Sequence, residues 1–460
     1  MAAMTGNLTE GVVWKRLLRF SVPMLIANLL QAVYGLVDML VIGRFMTTTA
    51  GLSAVTNGSQ TVQLINTLIF GLCVGGQVVV GQYFGAKQMD GVKRTIGTML
   101  CFCVVLGVAI PAVFIPLSRP ILHAMHTPTE AFRYAFVYMA ICLGGTVCVA
   151  GYQAIAAILR GLGDARRPLW FILIAACFNI VLDLIFVGVL QMGPAGAAVA
   201  TVIAQCLALI CALIYLFRRT DLGFRLRGRD LRISGPELRL VVKVGVPSAI
   251  QYVFVNFAAV FVTSLVNRYG VDVSAAIGAA ARVEVFSLLP HQALGSAVSA
   301  MVAQNMGAER VDRVSATVKS GIRMAFIWSL VAVFCFQVFP ARFMTMFSDN
   351  PMVIAQGALY LRIMSVACLL GCLTICIHGL VIGLGFSRFA MINTLIPQFC
   401  VRIVLAWVLN VALGCPLWTL YLCTMLAPVC SVPAAVIYYL SGRWKNRRLL
   451  KPPQKPAEKA

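Results

Sequence analysis

Val80-Gly81-Gln82-Tyr83-Phe84-Gly85-Ala86-Lys87 and Val302-Ala303-Gln304-Asn305-Met306-Gly307-Ala308-Glu309 repeat one pattern, Val-small-Gln-x-x-Gly-Ala-charged, in the two halves of the chain. The same offset carries Gly161-Leu162-Gly163 onto Gly383-Leu384-Gly385. With a small slip it also brings Val22-Pro23 to Val246-Pro247. A repeat unit this long, made mostly of apolar helices, is the build of a membrane protein in which two related bundles rock about a shared cavity. Transport is the expectation that follows.

Composition points the same way. The chain has 460 residues, 60% hydrophobic and only 11% charged, with a mean hydropathy of +0.91. A soluble domain carries about 25% charged residues, so this chain belongs in a bilayer. The formal net charge of +22 would raise the question of nucleic acid in a soluble protein. Here Lys and Arg stand in short runs between apolar spans, as an orientation signal does, and no nucleic-acid partner is expected. Most of the 16 cysteines lie inside apolar segments, Cys73, Cys142, Cys148, Cys206 and Cys372 among them. There they read as small apolar residues, with no structural disulfide and no metal cluster expected. The polar start is short, and a long helix rather than a cleavable leader begins near Trp14.

Crossing a bilayer takes roughly 20 apolar residues in a helix. That rule gives twelve spans. The first six lie near 14–42, 53–82, 95–117, 131–159, 169–190 and 195–217. The other six lie near 240–267, 275–303, 317–340, 355–384, 391–411 and 417–440. The fold class is therefore all-α integral membrane, two six-helix bundles in a V around a central cleft. An N-lobe covers 14–217 and a C-lobe 240–440, flanked by an N-terminal segment 1–13 and a basic tail 441–460. An Arg-rich linker, 218–239, joins the lobes. One face keeps few cations, among them Arg44, Arg119, Arg133, Arg268 and Arg342, whereas the other collects both termini and the linker. The positive-inside rule makes that second face cytoplasmic, in the cell (plasma) membrane. Six spans per unit also insert the two repeats the same way round, related by an axis along the membrane normal. Pro23 and Pro247 sit early in the first helix of each half, where a missing N–H and a ring clash favour a bend, and both are hinge candidates.

Of the fifteen acidic residues, Asp38, Asp183 and Glu284 fall within spans. A charge at that depth costs about 2.5–3.5 kcal/mol on insertion scales, so acids that remain there are functional candidates. Asn179 lies one turn before Asp183 on the same helix face. Gln31, Tyr34 and Asp38 share another face, and Thr201 projects from the following helix. Such oxygen-rich side chains suit a proton relay or a Na⁺ site. Two acids in low dielectric cannot both ionise cheaply, so one of them would hold a proton in the working range. Protonation would then be coupled to helix shape. In the second half, Arg402 lies mid-span and needs an anionic partner. Glu284 is available for it, as a structural pair or as part of a second ion or substrate site. His378 is a lone intramembrane histidine, structural or a substrate contact.

With these residues in view, the chain resembles the multidrug and toxic compound extrusion (MATE) family. The resemblance rests on Pro23, Gln31, Tyr34 and Asp38, on Val80 to Gly85, and on Arg160-Gly161-Leu162-Gly163-Asp164. Asn179, Asp183 and Thr201 complete it, and it extends over essentially the whole chain. It implies an antiporter that expels amphipathic, often cationic organic compounds against inward H⁺ or Na⁺ flow. It also implies an amino-lobe ion site at Asp38, Asn179, Asp183 and Thr201, with Pro23 as the bend of the first helix. A carboxy-lobe Na⁺ site known in some members would need acids in the seventh and tenth spans. This chain has Gln251 and Asn256 in one and His378 in the other, which favours the DinF-like over the NorM-like branch.

No cofactor and no resident metal is expected beyond the coupling ion, H⁺ or a Na⁺ held at the amino-lobe site. His123 and His126 lack a third ligand. Gly161-Leu162-Gly163 follows a helix and has no further glycine at nucleotide-loop spacing. Two other classes remain open: a flippase for a lipid-linked or polysaccharide precursor, which would want several cavity arginines, and a membrane-embedded transferase, which would want clustered catalytic acids or histidines. A monomer is the expected state.

Overall fold

The computed structural model describes residues 7–45, 49–125, 127–218 and 226–450, and every regular element among them is helical. The first half contains α1 (Val13–Phe45), α2 (Thr49–Gly85), α3 (Met89–Ala124), α4 (Thr129–Gly144), α5 (Thr146–Gly161), α6 (Arg166–Asp183) and α7 (Gly193–Arg218). The second contains α8 (Gly235–Val266), α9 (Val271–Gly307), α10 (Val311–Val338), the short α11 (Pro340–Thr345), α12 (Pro351–Gly383), α13 (Ser387–Pro397) and α14 (Trp418–Leu440). Among the described residues eleven spans are long and apolar enough to cross a membrane, and α4 with α5 makes a twelfth, bent by 46°. The hydropathy reading drew that span as one unbroken helix. The break falls at Gly144-Gly145, where a valine of α7, Val202, presses against the Gly145 backbone and leaves no room for a Cβ. Large apolar side chains such as Val104, Val105 and Val108 on α3 are more than half exposed, as a lipid-facing surface requires.

Two more expectations need correcting. Cys148 of α5 and Cys206 of α7 form a disulfide, their Cα atoms 5.0 Å apart. The two helices approach closely through Ala150, Ala204 and Ala208, so cysteines that read as apolar filler come face to face. The first helix of the second half also begins earlier than 240, at Gly235. Pro236 opens it, and the buried Glu237 is held by Arg94 Nε at 2.8 Å and by the Ser234 hydroxyl. Just before it, the linker is tied to α3 by a 3.2 Å ion pair between Lys93 and Asp230. The backbone N–H of Arg227, with Lys93 beside it, holds the Asp230 carboxyl below its usual range. Pro23 and Pro247 both lie inside continuous helices.

The halves meet along α2, which packs against α8 and α9. Gly71 and Gly75, one turn apart, let α2 approach α8 until a Cβ on either would stand 2.3 Å from Ala249 Cα or 2.2 Å from Val241 O. This small-xxx-small contact replaces the hydrophobic drive that is missing inside a membrane. At the basic face the repeated octapeptides cross. Gln82 Nε2 donates to Gly383 O of α12 at 2.9 Å, and Gln304 Nε2 donates to Gly161 O of α5 at 2.8 Å. These carbonyls end their helices and have no partner within them. Gln304 Oε1 also accepts from Leu8 N–H at 3.0 Å, so the N-terminal segment is seated on the C-lobe.

The crossing is backbone-tight. A Cβ on Gly85 would lie 1.9 Å from Gln304 O, and one on Gly307 would lie 2.0 Å from Gln82 O. Gly85→Ala or Gly307→Ala must push the helices apart, at an expected cost of about 1–3 kcal/mol. Gly278→Ala, with nothing within 4 Å, is expected to be neutral or stabilising by up to about 1 kcal/mol. Thermal unfolding of the purified variants in detergent checks both.

Candidate functional site

α6 carries the N-lobe acid. Asn179 and Asp183 are fully buried, 0% and 1% exposed, and one turn apart on the same face. At Asp183 the α-helix gives way to a π-helical segment, Leu184–Val189. Wider turns of this kind are frequent at functional sites. The turn that follows uses positive φ at Gln191 and Gly193, and it brings α7 back onto α6. Thr201 is half-buried on α7. Asn179, Asp183 and Thr201 each have a bonded or electrostatic partner. α1 packs on α6 as well. The side chains of Asp38, expected from sequence at this ion site, and of Tyr34, expected as a cavity or substrate residue, lie outside the described residues, and Gln31, the other cavity candidate on α1, is exposed.

The second acid has company that the sequence did not reveal. Tyr360 of α12, 5% exposed, donates its hydroxyl to Glu284 Oε2 of α9 at 2.8 Å. Its ring stands edge-on to Tyr421 of α14, centroids 5.5 Å apart, and the Tyr421 hydroxyl donates to Gln356 Oε1 at 3.2 Å. Arg402 extends from a π-helical segment, Gln398–Leu405, into the same group. Its Nη1 lies 3.4 Å from Gln398 Oε1, and its charge acts on both Glu284 and Tyr360. The expected Glu284–Arg402 neighbourhood is therefore present, with Tyr360 rather than Arg402 as the hydrogen-bond partner of the acid. Nothing in the sequence of α12 singles out Tyr360, which stands between the apolar Leu359 and Leu361.

His378 is buried and has a side-chain partner. Its Nε2 lies 3.0 Å from Asn393 Nδ2, and Asn393 and Ser431 exchange hydrogen bonds with each other's backbone, joining α12, α13 and α14. Gln251 is likewise partnered, donating to Thr394 Oγ1 at 2.9 Å. A further cation, Arg160, belongs to the interface between the lobes. Its Nε donates to Gln77 Oε1 at 2.9 Å and its guanidinium lies over Phe70, which meets Tyr252 of α8 edge-on. Arg160 was visible in sequence only as part of the Gly161-Leu162-Gly163 stretch.

Comparison with known proteins agrees with the two-part build. Residues 23–185 and 247–408 each match the family described as MatE. A probable multidrug resistance protein of Bacillus subtilis (strain 168), YoeA, is 30% identical over 349 residues, 75% of either chain. Another from the same organism, YpnP, is 28% identical over 448 residues, covering 96% of this chain and 98% of its own. A solved outward-facing multidrug resistance MATE family transporter of the MOP superfamily superposes with a TM-score of 0.87 at 23% identity, over 96% of this chain and 98% of that one. At that identity the likeness is one of fold.

Tyr360→Phe removes a donor from a carboxylate inside the membrane and is expected to cost about 1–3 kcal/mol. Glu284→Gln on top of it should add less than it does alone, because the two groups form one interaction. A double-mutant cycle on thermal unfolding reads the coupling. Strict additivity would mean that the contact contributes nothing.

Proposed function

The chain belongs to the MatE family, and from this premise we propose that it is an ion-coupled antiporter expelling small amphipathic, often cationic organic compounds. It is a multi-pass membrane transporter of the multidrug efflux kind, not an enzyme. The observation that carries the proposal is the buried Asn179–Asp183 pair at the α-to-π junction of α6. An acid this deep must be neutralised by a proton, a cation or a fixed partner. Asp38, Asn179, Asp183 and Thr201 form the coupling site in this reading. Loading it with H⁺ or Na⁺ favours one packing of α1, α6 and α7. Emptying it favours another, in which substrate is held. Pro23 and Pro247 give the first helix of each lobe its freedom to bend. Both termini and the linker face the cytoplasm of a plasma membrane, by the excess of Lys and Arg on that side. The protein works as a monomer, without a cofactor.

One observation speaks for the second reading, a flippase for an anionic lipid-linked precursor. Arg160, in the interface between the lobes, joins Arg402 as a buried guanidinium, and polar atoms of both lack a hydrogen-bond partner. Anionic headgroups would use such groups.

Proteoliposomes loaded with a permanently cationic dye separate the two readings, with H⁺ and Na⁺ gradients imposed one at a time. The expected outcome is efflux driven by one gradient and reduced on the order of tenfold or more in Asp183→Asn. Efflux at full rate from that variant would remove Asp183 from the coupling site. A folded protein that moves dye under neither gradient would favour the flippase.

A further inference from the structure

On the basic face, a crevice of about 670 Å³ opens between the start of α1 and the start of α6. Four cations line it, Lys15, Arg16 and Arg19 from α1 and Arg166 from α6, and no lining residue is acidic. All four are exposed. The rest of the wall is apolar: Trp14 and Leu18 stand among the cations, and Val22 and Pro23 lie about one turn past Arg19. Trp14, Leu18 and Val22 are 49%, 44% and 40% exposed, so this wall has no protein cover.

We propose that this crevice binds an anionic phospholipid of the leaflet on the basic face. The phosphate is held among Lys15, Arg16, Arg19 and Arg166, and the acyl chain runs down past Leu18 and Val22 toward Pro23. Along α1 the cations Lys15, Arg16 and Arg19 all precede Val22 and Pro23, as a headgroup precedes the end of an acyl chain. Val22 lies two turns beyond Lys15, roughly 10 Å deeper at 1.5 Å per residue. A soluble anion would gain nothing from that apolar slot. Positive-inside bias places cations at this face, but it does not require cations from two helices to converge on one acid-free crevice with an apolar wall. Basic pockets between membrane helices on this side suit anionic headgroups. Occupancy ties the start of α1 to the start of α6, the two helices whose relative position matters to the coupling site in the proposed reading. The inference goes beyond the efflux reading and does not use Asp183, so a failed dye assay leaves it intact.

Native mass spectrometry of the full-length protein, released from detergent with added phosphatidylglycerol or phosphatidylcholine, tests it. Phosphatidylglycerol should be retained at concentrations at least about tenfold lower than phosphatidylcholine. Each neutralised cation should weaken retention roughly fivefold, so the triple variant Lys15→Gln, Arg19→Gln, Arg166→Gln should lose on the order of a hundredfold. A control removing three exposed cations elsewhere, Arg239→Gln, Lys319→Gln and Arg388→Gln, should retain the lipid as the unmodified protein does. Equal retention of the two lipids by the unmodified protein would overturn the proposal, as would equal loss in both triple variants. Full displacement of phosphatidylglycerol by millimolar inorganic phosphate would assign the site to a free anion instead, and would overturn the lipid.

Discussion

Two glutamine side chains and the glycines beside them hold the lobes together at the basic face. Gln82 and Gln304 donate to the last carbonyls of α12 and α5, groups that a helix cannot satisfy by itself and that membrane depth would leave unpaired. The bonds form only because Gly85 and Gly307 let backbone approach backbone. The closure is doubled by the internal repeat. Each half supplies one amide and one carbonyl, so neither lobe can withdraw without breaking both. Gly161 and Gly383 are equally constrained, since a Cβ on them would meet Gln77 O at 2.6 Å and Ser299 O at 2.5 Å.

α2 and α8 are in backbone contact through Gly71 and Gly75, continuing the closure toward the middle of the molecule. The intramembrane acids then divide by lobe. Asp183 sits where α6 changes pitch, next to a helix that also packs on α1. Glu284 is clamped by Tyr360 with Arg402 nearby. The same fold repeated twice therefore carries an acid beside a π-helical turn in one half and an acid hydrogen-bonded to a tyrosine in the other.

The helical spans were legible because hydropathy over about twenty residues depends on the bilayer alone. The repeat was legible because Gln82/Gln304 and Gly161/Gly383 recur at one offset. The break at Gly145 was not, since it depends on Val202 pressing from another helix. Neither was the pairing of Cys148 with Cys206, which follows from how closely α5 and α7 approach and not from spacing. Asn179 and Asp183 stood out as polar residues in an apolar span, and both are buried. Tyr360 did not stand out, because a tyrosine in an apolar helix reads as packing until its hydroxyl is seen to reach Glu284. His378 stood out as a lone histidine in an apolar span, but its contact with Asn393 on the next helix was not legible, because it depends on how α12 and α13 pack.

If one two-state arrangement of the lobes links ion and substrate, the linkage must run both ways. The direct test imposes no ion gradient at all. Vesicles holding the protein and a concentrated cationic dye are diluted into dye-free buffer, and H⁺ and Na⁺ movement are followed with ion-sensitive indicators. The account predicts that dye leaving down its own gradient drives one of the two ions the opposite way, in fixed proportion. Dye efflux by the folded protein with neither ion moving would contradict it.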